Sequence, residues 1–239
     1  VHHVARRPHY SALTSEKICR LLRLEGLTDY AAALDLQRRL AAARANREIT
    51  DDILLLLEHP RVITLGRRAR KSNVVATADA LAGRGVELHE VERGGDVTYH
   101  GPGQLIGYPI LDLTRHRRDV HWYLRQLEEV LLRTLSHCGV SGVRVPGYTG
   151  VWVEDRKIAS IGVHVTRWVT FHGFALNVCT DLADFDLIVP CGIDAVQMTS
   201  VEREAGRPYS VEDVVPRVAR AFGEIFGCTM QPVALQELA

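Results

Sequence analysis

The segments of this chain that can bury an apolar face come in an uneven order, and that order restricts the fold more than any other feature. Helical spacing recurs in three places only. After Thr28 or Asp29, Tyr30, Ala33, Leu34, Leu40 and Ala41 form a stripe through Ala45. After Asp119, Tyr123, Leu127, Val130, Leu131, Leu135 and Cys138 share one face up to Gly139. A last helix covers Val214–Phe226. Ser210 with Asp213 resembles a capping box, but Pro216 would then lack a hydrogen bond, so the spacing predicts Asp213 as the cap. Between the helices lie runs of short extended segments: Ile53–Glu58, Val62–Leu65, Val86–Val91, Leu105–Leu113, Val143–Val145, Val151–Val153, Lys157–Val165 and Thr170–Val178. Strands in runs, with helices early, middle and late, predict an α+β fold with a mixed sheet rather than a doubly wound parallel one.

With 239 residues the chain can bury one sizeable core, so a single domain is expected over residues 22–239. Residues 1–21 are polar and read as a flexible N-terminal extension, ending in a short element at Ile18–Leu22. Lys plus Arg number 29 and Asp plus Glu 29, which excludes nucleic-acid binding by bulk charge. The longest aliphatic run, Ile53–Leu57, is far too short to span a membrane, and no signal peptide is read. Five scattered cysteines without a Cys-x-x-Cys pair argue against a disulfide framework or structural zinc, so the expected compartment is the cytoplasm. No apolar stripe suggests self-association, and a monomer is the expectation.

Cys191, in Pro190-Cys191-Gly192-Ile193, fits a buried hydrophobe less well than Cys138 and Cys228 do, because a flanking glycine permits close approach of a substrate. An ordinary thiol is only a few per cent thiolate at pH 7, so a nucleophilic role requires a cationic neighbour or a base. Lys157 is the leading candidate: it opens an apolar face with Ala159, Ile161, Val163 and Val165, although a lysine at a strand end can equally snorkel to water. Small residues at Ser160, Gly162, Gly173 and Ala175 either leave a slot for an apolar chain or let a loop pack closely. The loop Arg93–Gly103 holds four glycines, which let backbone N–H groups converge on an anion or carbonyl, with Arg93 as a fixed fork of donors. It matches neither the Rossmann nor the P-loop pattern. His59, His100 and His172 lie beside these elements, without metal-like spacing; no metal or cofactor is expected. Two basic clusters, Arg67-Arg68-Ala69-Arg70-Lys71 and Arg115-His116-Arg117-Arg118, read either as solvated faces or as docking sites for an acidic protein.

Six motifs in order resemble the lipoyl(octanoyl) transferases, also called lipoate–protein ligase B, over about residues 24–230. They are Leu54–Pro60 with Thr64–Arg67, Arg93–Leu105, Gly150–Val153, Lys157–Gly162, His172–Asn177 and Pro190–Ile193. The resemblance implies the catalytic-domain fold shared by biotin and lipoate protein ligases. It implies an acyltransferase that moves an octanoyl or lipoyl group from acyl carrier protein to a lysine of apo lipoyl domains, those of 2-oxoacid dehydrogenases and glycine cleavage H protein. That reaction is the first step of endogenous protein lipoylation. Cys191 would carry the group as a thioester, and Lys157 would favour the thiolate and shuttle protons. The acyl site would be lined by Arg93, Gly94, Gly95, Asp96, Val97, Thr98, Tyr99, His100, Ser160, Ile161, Gly162, Gly173, Phe174 and Ala175, with His59 or His172 orienting. Backbone N–H groups near Gly162 or Gly192 are the expected oxyanion donors. Two departures stand out: Cys179 replaces an expected polar residue near the site, and Ile63 replaces an aromatic on one wall of the acyl pocket. The alternatives are an ATP-dependent lipoate or biotin ligase of the same fold, or a non-catalytic module that binds carrier or lipoyl domains.

Overall fold

A computed structural model describes residues 17–193 and 195–238. The extension expected over residues 1–16 lies outside the described residues. The chain begins with β1 (Ile18–Leu27), α1 (Tyr30–Ala45), β2 (Asp52–Glu58), β3 (Val62–Leu65) and the short α2 (Ala78–Gly83). Next come β4 (Glu87–Glu90), β5 (Val97–His100), β6 (Gln104–Ile110) and α3 (Val120–His137). A hairpin of β7 (Val151–Val153) and β8 (Arg156–Thr166) leads to β9 (Val169–Asn177). The rest is β10 (Gln197–Met198), α4 (Val201–Ala205), α5 (Val211–Phe226) and β11 (Thr229–Val233).

The large sheet runs β10-β8-β9-β6-β2-β1-β11, with β7 also on β8, and mixes parallel with antiparallel pairs. This is the α+β mixed sheet that the order of segments predicts. The unbroken apolar run of β2 follows from burial on both faces. Leu54 and Leu56 pack into a core with α3 and α5, whereas Ile53, Leu55 and Leu57 pack against α1. A three-stranded sheet, β4-β3-β5, encloses a third core with Tyr99, Phe185 and Leu187. Asp29 caps α1 by accepting from the Ala32 N–H, and Asp119 caps α3 by accepting from Trp122 N–H.

Three expectations are corrected. Residues 18–21 are not part of an extension: β1 lies inside the sheet, parallel to both β2 and β11. Its arginines find distant partners, Arg20 on Asp51 at 2.9 Å and Arg23 near Glu58 at 3.8 Å. The expected loop Arg93–Gly103 contains a fully buried strand, β5, antiparallel to β3. Finally, α5 is capped by Ser210, not Asp213. Ser210 Oγ accepts from Asp213 N–H at 3.2 Å and Asp213 Oδ2 accepts from Ser210 N–H at 2.8 Å. The reciprocal box and a buried face from Val211 to Phe226 offset the bond that Pro216 cannot make.

Candidate active site

A cavity of about 670 Å3 opens where β8, β9 and the segment after β4 converge. Cys191 lies on its wall, in a single 3-10 turn, Pro190–Gly192, with a left-handed backbone at φ 58°. That conformation is costly for a residue with a Cβ, and here the chain on both sides of Cys191 is fixed by neighbours. Val189 N–H donates to Asn73 O at 2.7 Å, and Asn73 Nδ2 donates to Asp96 Oδ2 at 2.9 Å. A side chain on Gly192 would meet that carboxylate oxygen at 2.6 Å, so the glycine is required for the thiol loop to sit against Asp96.

Lys157 is only 2% exposed, so it does not snorkel to water. Its Nζ donates to Cys191 Sγ at 3.1 Å and to Thr149 O at 3.4 Å, and stands 4.7 Å from the centre of the Trp152 ring. Ala159, Ile161, Val163 and Val165 pack on the α3–α5 core, as the strand arithmetic predicts. Ser160 Oγ lies 3.9 Å from the thiol. Gly150, at φ 128°, permits this approach; a Cβ there would come within 3.1 Å of Lys157 Cε. The arrangement is a thiol and an amine held in a half-closed pocket, which suits a proton-coupled nucleophile.

Arg93 lines the cavity but its donors are spent within the protein. It donates to Thr64 O at 2.6 Å, to Thr64 Oγ1 at 2.8 and 3.1 Å and to Gly94 O at 3.0 Å. It therefore holds the loop in shape rather than offering a free fork. Gly162 lets this loop sit on β8: a Cβ would meet Gly94 O at 2.8 Å. Gly173 lets β9 approach β6, where a Cβ would meet Gly107 O at 2.1 Å. Close packing and lining of the cavity are thus served by the same two glycines.

At its far end the cavity meets Tyr30, His100, Tyr108 and His172. Ser160 pairs with Ala175, and Ala175 with Ile106, two residues before Tyr108. Two strand spacings make about 10 Å, so thiol and floor are separated by the length of a medium acyl chain. His59 stands behind the floor: Nδ1–H donates to Thr28 O at 2.7 Å, so Nε2 accepts from Tyr108 O–H at 2.8 Å. Burial pushes His59 down to about 4 and His100 down to about 3, and it raises Tyr30 to about 12; all are neutral at pH 7. Among the described residues His172 Nε2 is buried and without a hydrogen-bond partner, 3.8 Å from the Glu92 carboxylate. Among the described residues no three His, Cys, Asp or Glu side chains are grouped to hold a metal.

Of the residues singled out from sequence, Cys191, Lys157, Ser160, Ile161, Gly162, Gly173, Phe174, Ala175, Arg93 to Thr98, His100 and His172 line this one cavity. Tyr99 does not; alternation along β5 sends its hydroxyl to Asp184 Oδ2 at 2.7 Å, in the third core. Ile63 also lies in that core and forms no pocket wall. Cys179 is exposed and outside the cavity. Gly192 N–H donates to Val189 O at 3.1 Å, which removes it as an oxyanion donor. Sequence reasoning missed Tyr108, Asn73 and Thr149, and read Tyr30 as part of an apolar stripe.

Known proteins resemble the chain throughout this region. An octanoyltransferase of Acidobacterium capsulatum is 54% identical over 217 residues, covering 84% of this chain and 88% of the relative. One of Gloeobacter violaceus is 51% identical over 211 residues, covering 88% and 92%. Among solved structures, a putative lipoate protein ligase of T. acidophilum with bound lipoic acid superposes with a TM-score of 0.68 at 18% identity, covering 93% of this chain and 91% of that one. A lipoate-protein ligase A bound with ATP gives a TM-score of 0.71 at 18% identity, covering 93% and 90%. The fold is therefore shared with ligases as well as transferases. The model of the lipoyl protein ligase A/B catalytic domain matches residues 29–223, which contain the thiol, the lysine and every wall of the cavity, and the chain belongs to that family.

Proposed function

We propose that this protein is an octanoyltransferase of protein lipoylation, working through a thioester on Cys191. The observation that carries the reading is the Lys157 Nζ to Cys191 Sγ contact of 3.1 Å on the wall of a cavity of about 670 Å3. Two close relatives named octanoyltransferase support it.

The chemistry balances with these two groups. The Cys191 thiolate attacks the donor thioester; the carrier thiolate leaves and takes a proton from Lys157. One thioester replaces another, so the step is nearly thermoneutral. A neutral acceptor lysine then attacks the acyl-enzyme, an amide forms, Lys157 recovers its proton from the new amide nitrogen, and the Cys191 thiolate is released. Burying about seven carbons along Ser160, Gly162 and Ala175 contributes around 5 kcal/mol of anchoring, enough to favour octanoyl over shorter chains. The donor is acyl carrier protein, and the acceptors are apo lipoyl domains of 2-oxoacid dehydrogenases and glycine cleavage H protein. The protein acts as a cytoplasmic monomer; among the described residues no helix is long and apolar enough to cross a membrane.

The ligase reading is favoured by the shared fold alone, whereas activation of a free acid as an adenylate needs no cysteine nucleophile. The test is intact-mass spectrometry after mixing with octanoyl-acyl carrier protein in the absence of ATP, for wild type and Cys191→Ala. Gain of one octanoyl group by wild type only, and its transfer to an apo lipoyl domain, is the expected result. An adduct that persists in the alanine variant, or turnover that requires ATP, overturns the reading.

A further inference from the structure

The chain carries no net charge, with 29 basic and 29 acidic residues, yet the cavity is strongly one-sided. Among the described residues, Arg68, Arg70, Arg93 and Lys157 line it against a single carboxylate, Asp96. Arg93 and Lys157 are buried and bonded within the protein. Arg68 and Arg70 are exposed at the mouth, and neither guanidinium has a partner among the described residues; the neighbouring Arg67 has none either. Their backbone is nonetheless fixed. Arg67 N–H donates to Arg93 O at 3.0 Å, Arg68 N–H to Gly95 O at 3.1 Å, and Arg70 N–H to Asp96 Oδ1 at 3.3 Å. Three free guanidinium groups are thus mounted on the loop that forms the cavity wall.

In the second basic cluster three of the four side chains have partners, and only Arg118 is exposed without one among the described residues. Arg115 donates to Thr50 O, His116 contacts Asp52 at 2.6 Å, and Arg117 lies 3.3 Å from Asp119. None of them lines the cavity.

We propose that Arg67, Arg68 and Arg70 form the docking surface for the acidic face of the carrier protein that donates the acyl group. This rests on the transferase reading above and assigns one half-reaction to one patch. The donor is favoured over the acceptor by charge: the acceptor lysine arrives from solution as an ammonium, which free guanidinium groups repel, and loses its proton only before it attacks. A donor with an acidic surface is steered to the mouth instead, and such steering acts on encounter rate and weakens with salt.

The test measures single-turnover acylation of Cys191 with two donors, octanoyl-acyl carrier protein and the neutral octanoyl-pantetheine, at low and high salt. Arg68→Glu/Arg70→Glu is compared with Arg39→Glu/Arg47→Glu, which makes the same charge change at exposed sites outside the cavity. The mouth variant is expected to lose about 10- to 100-fold in kcat/KM with the carrier and to lose the salt dependence seen in wild type. The rate with octanoyl-pantetheine should stay within about threefold, and the distant variant should match wild type with both donors. An equal loss with octanoyl-pantetheine, no loss with the carrier, or a loss confined to transfer onto the lipoyl domain overturns the proposal. If wild type accepts octanoyl from neither donor, the transferase reading itself fails, a result visible before any variant is compared.

Discussion

Lys157 Nζ and Cys191 Sγ are 3.1 Å apart although 34 residues separate them in the chain. The lysine is the second residue of a strand in the large sheet, and the cysteine comes from a loop strained at positive φ. Neither element would hold its side chain there alone. The β7–β8 hairpin fixes the amine, because Trp152 pairs with Lys157 and also covers it with its ring. Asn73 and Asp96 fix the thiol loop from the opposite wall.

Replacing Lys157 with Met keeps the stem and removes the amine. Acylation of Cys191 should fall by about 10²–10⁴-fold, the range for loss of a positioned proton donor. Stability should hold or rise, because a buried amine has been exchanged for an apolar group of similar length. Single-turnover mass spectrometry together with a thermal melt decides this: an inactive variant that has also unfolded would not support a chemical role for Lys157.

Gly150→Ala probes the same contact from the backbone. At φ 128° an alanine is strained, and its Cβ would meet Ala159 O at 2.6 Å and Lys157 Cε at 3.1 Å. The hairpin must shift and take the amine with it, and a displacement of about 1 Å can cost on the order of 10²-fold in rate. Acylation should drop at least about tenfold while the fold survives, as judged by circular dichroism. An unchanged acylation rate would show that the amine tolerates displacement.

Much of this site was legible before any coordinates. The parity of Lys157 with Ala159, Ile161, Val163 and Val165 marked a lysine at the edge of an apolar face; the structure packs those four on the α3–α5 core and, across a register shift in the β7–β8 pairing, buries the lysine against the thiol. Small residues on β8 and β9 marked the slot. What could not be read depends on distant partners. Residues 18–21 looked like the end of a polar extension because the partner of Arg20, Asp51, lies 31 residues away in sequence. Arg93 looked like an anion-binding fork because its acceptor, Thr64, is 29 residues off. Tyr30 and Tyr108 follow the apolar pattern of their own helix and strand, so nothing local marks them as the cavity floor.

The floor sets an expectation for chain length. Ala175 lines the cavity between the thiol and Tyr108. Ala175→Val should shorten the slot by about one carbon or two, and each buried CH₂ lost costs about 0.8 kcal/mol, close to fourfold. Octanoyl transfer should fall about 4- to 15-fold while hexanoyl transfer is spared, read as a ratio of kcat/KM values for the two donors. A uniform loss across chain lengths would place the acyl tail elsewhere.

Acid should loosen this same floor. Burial pushes His59 down to about 4 and His100 down to about 3, and it lowers His172 as well, against an unfolded value of about 6.5. Between those values the unfolded chain binds more protons than the native one, so stability falls as pH drops from about 6.5, the share of His59 being lost by about pH 4 and that of His100 by about pH 3. His59 alone accounts for about 3 kcal/mol over that window, since each unit is worth about 1.4 kcal/mol. The acids held below their usual range, Asp52 and Asp184, release their share only at lower pH, so the window belongs to the histidines. His59→Gln can still donate to Thr28 O and accept from Tyr108 O–H but cannot titrate. It should be somewhat less stable than wild type at pH 7, with a visibly shallower decline in melting temperature between pH 7 and 5. At about 2–4 °C per kcal/mol the difference in slope is measurable by calorimetry. Parallel declines in the two proteins would mean that His59 already carries its proton in the native state, and the hydrogen bond from Tyr108 would then have to be redrawn.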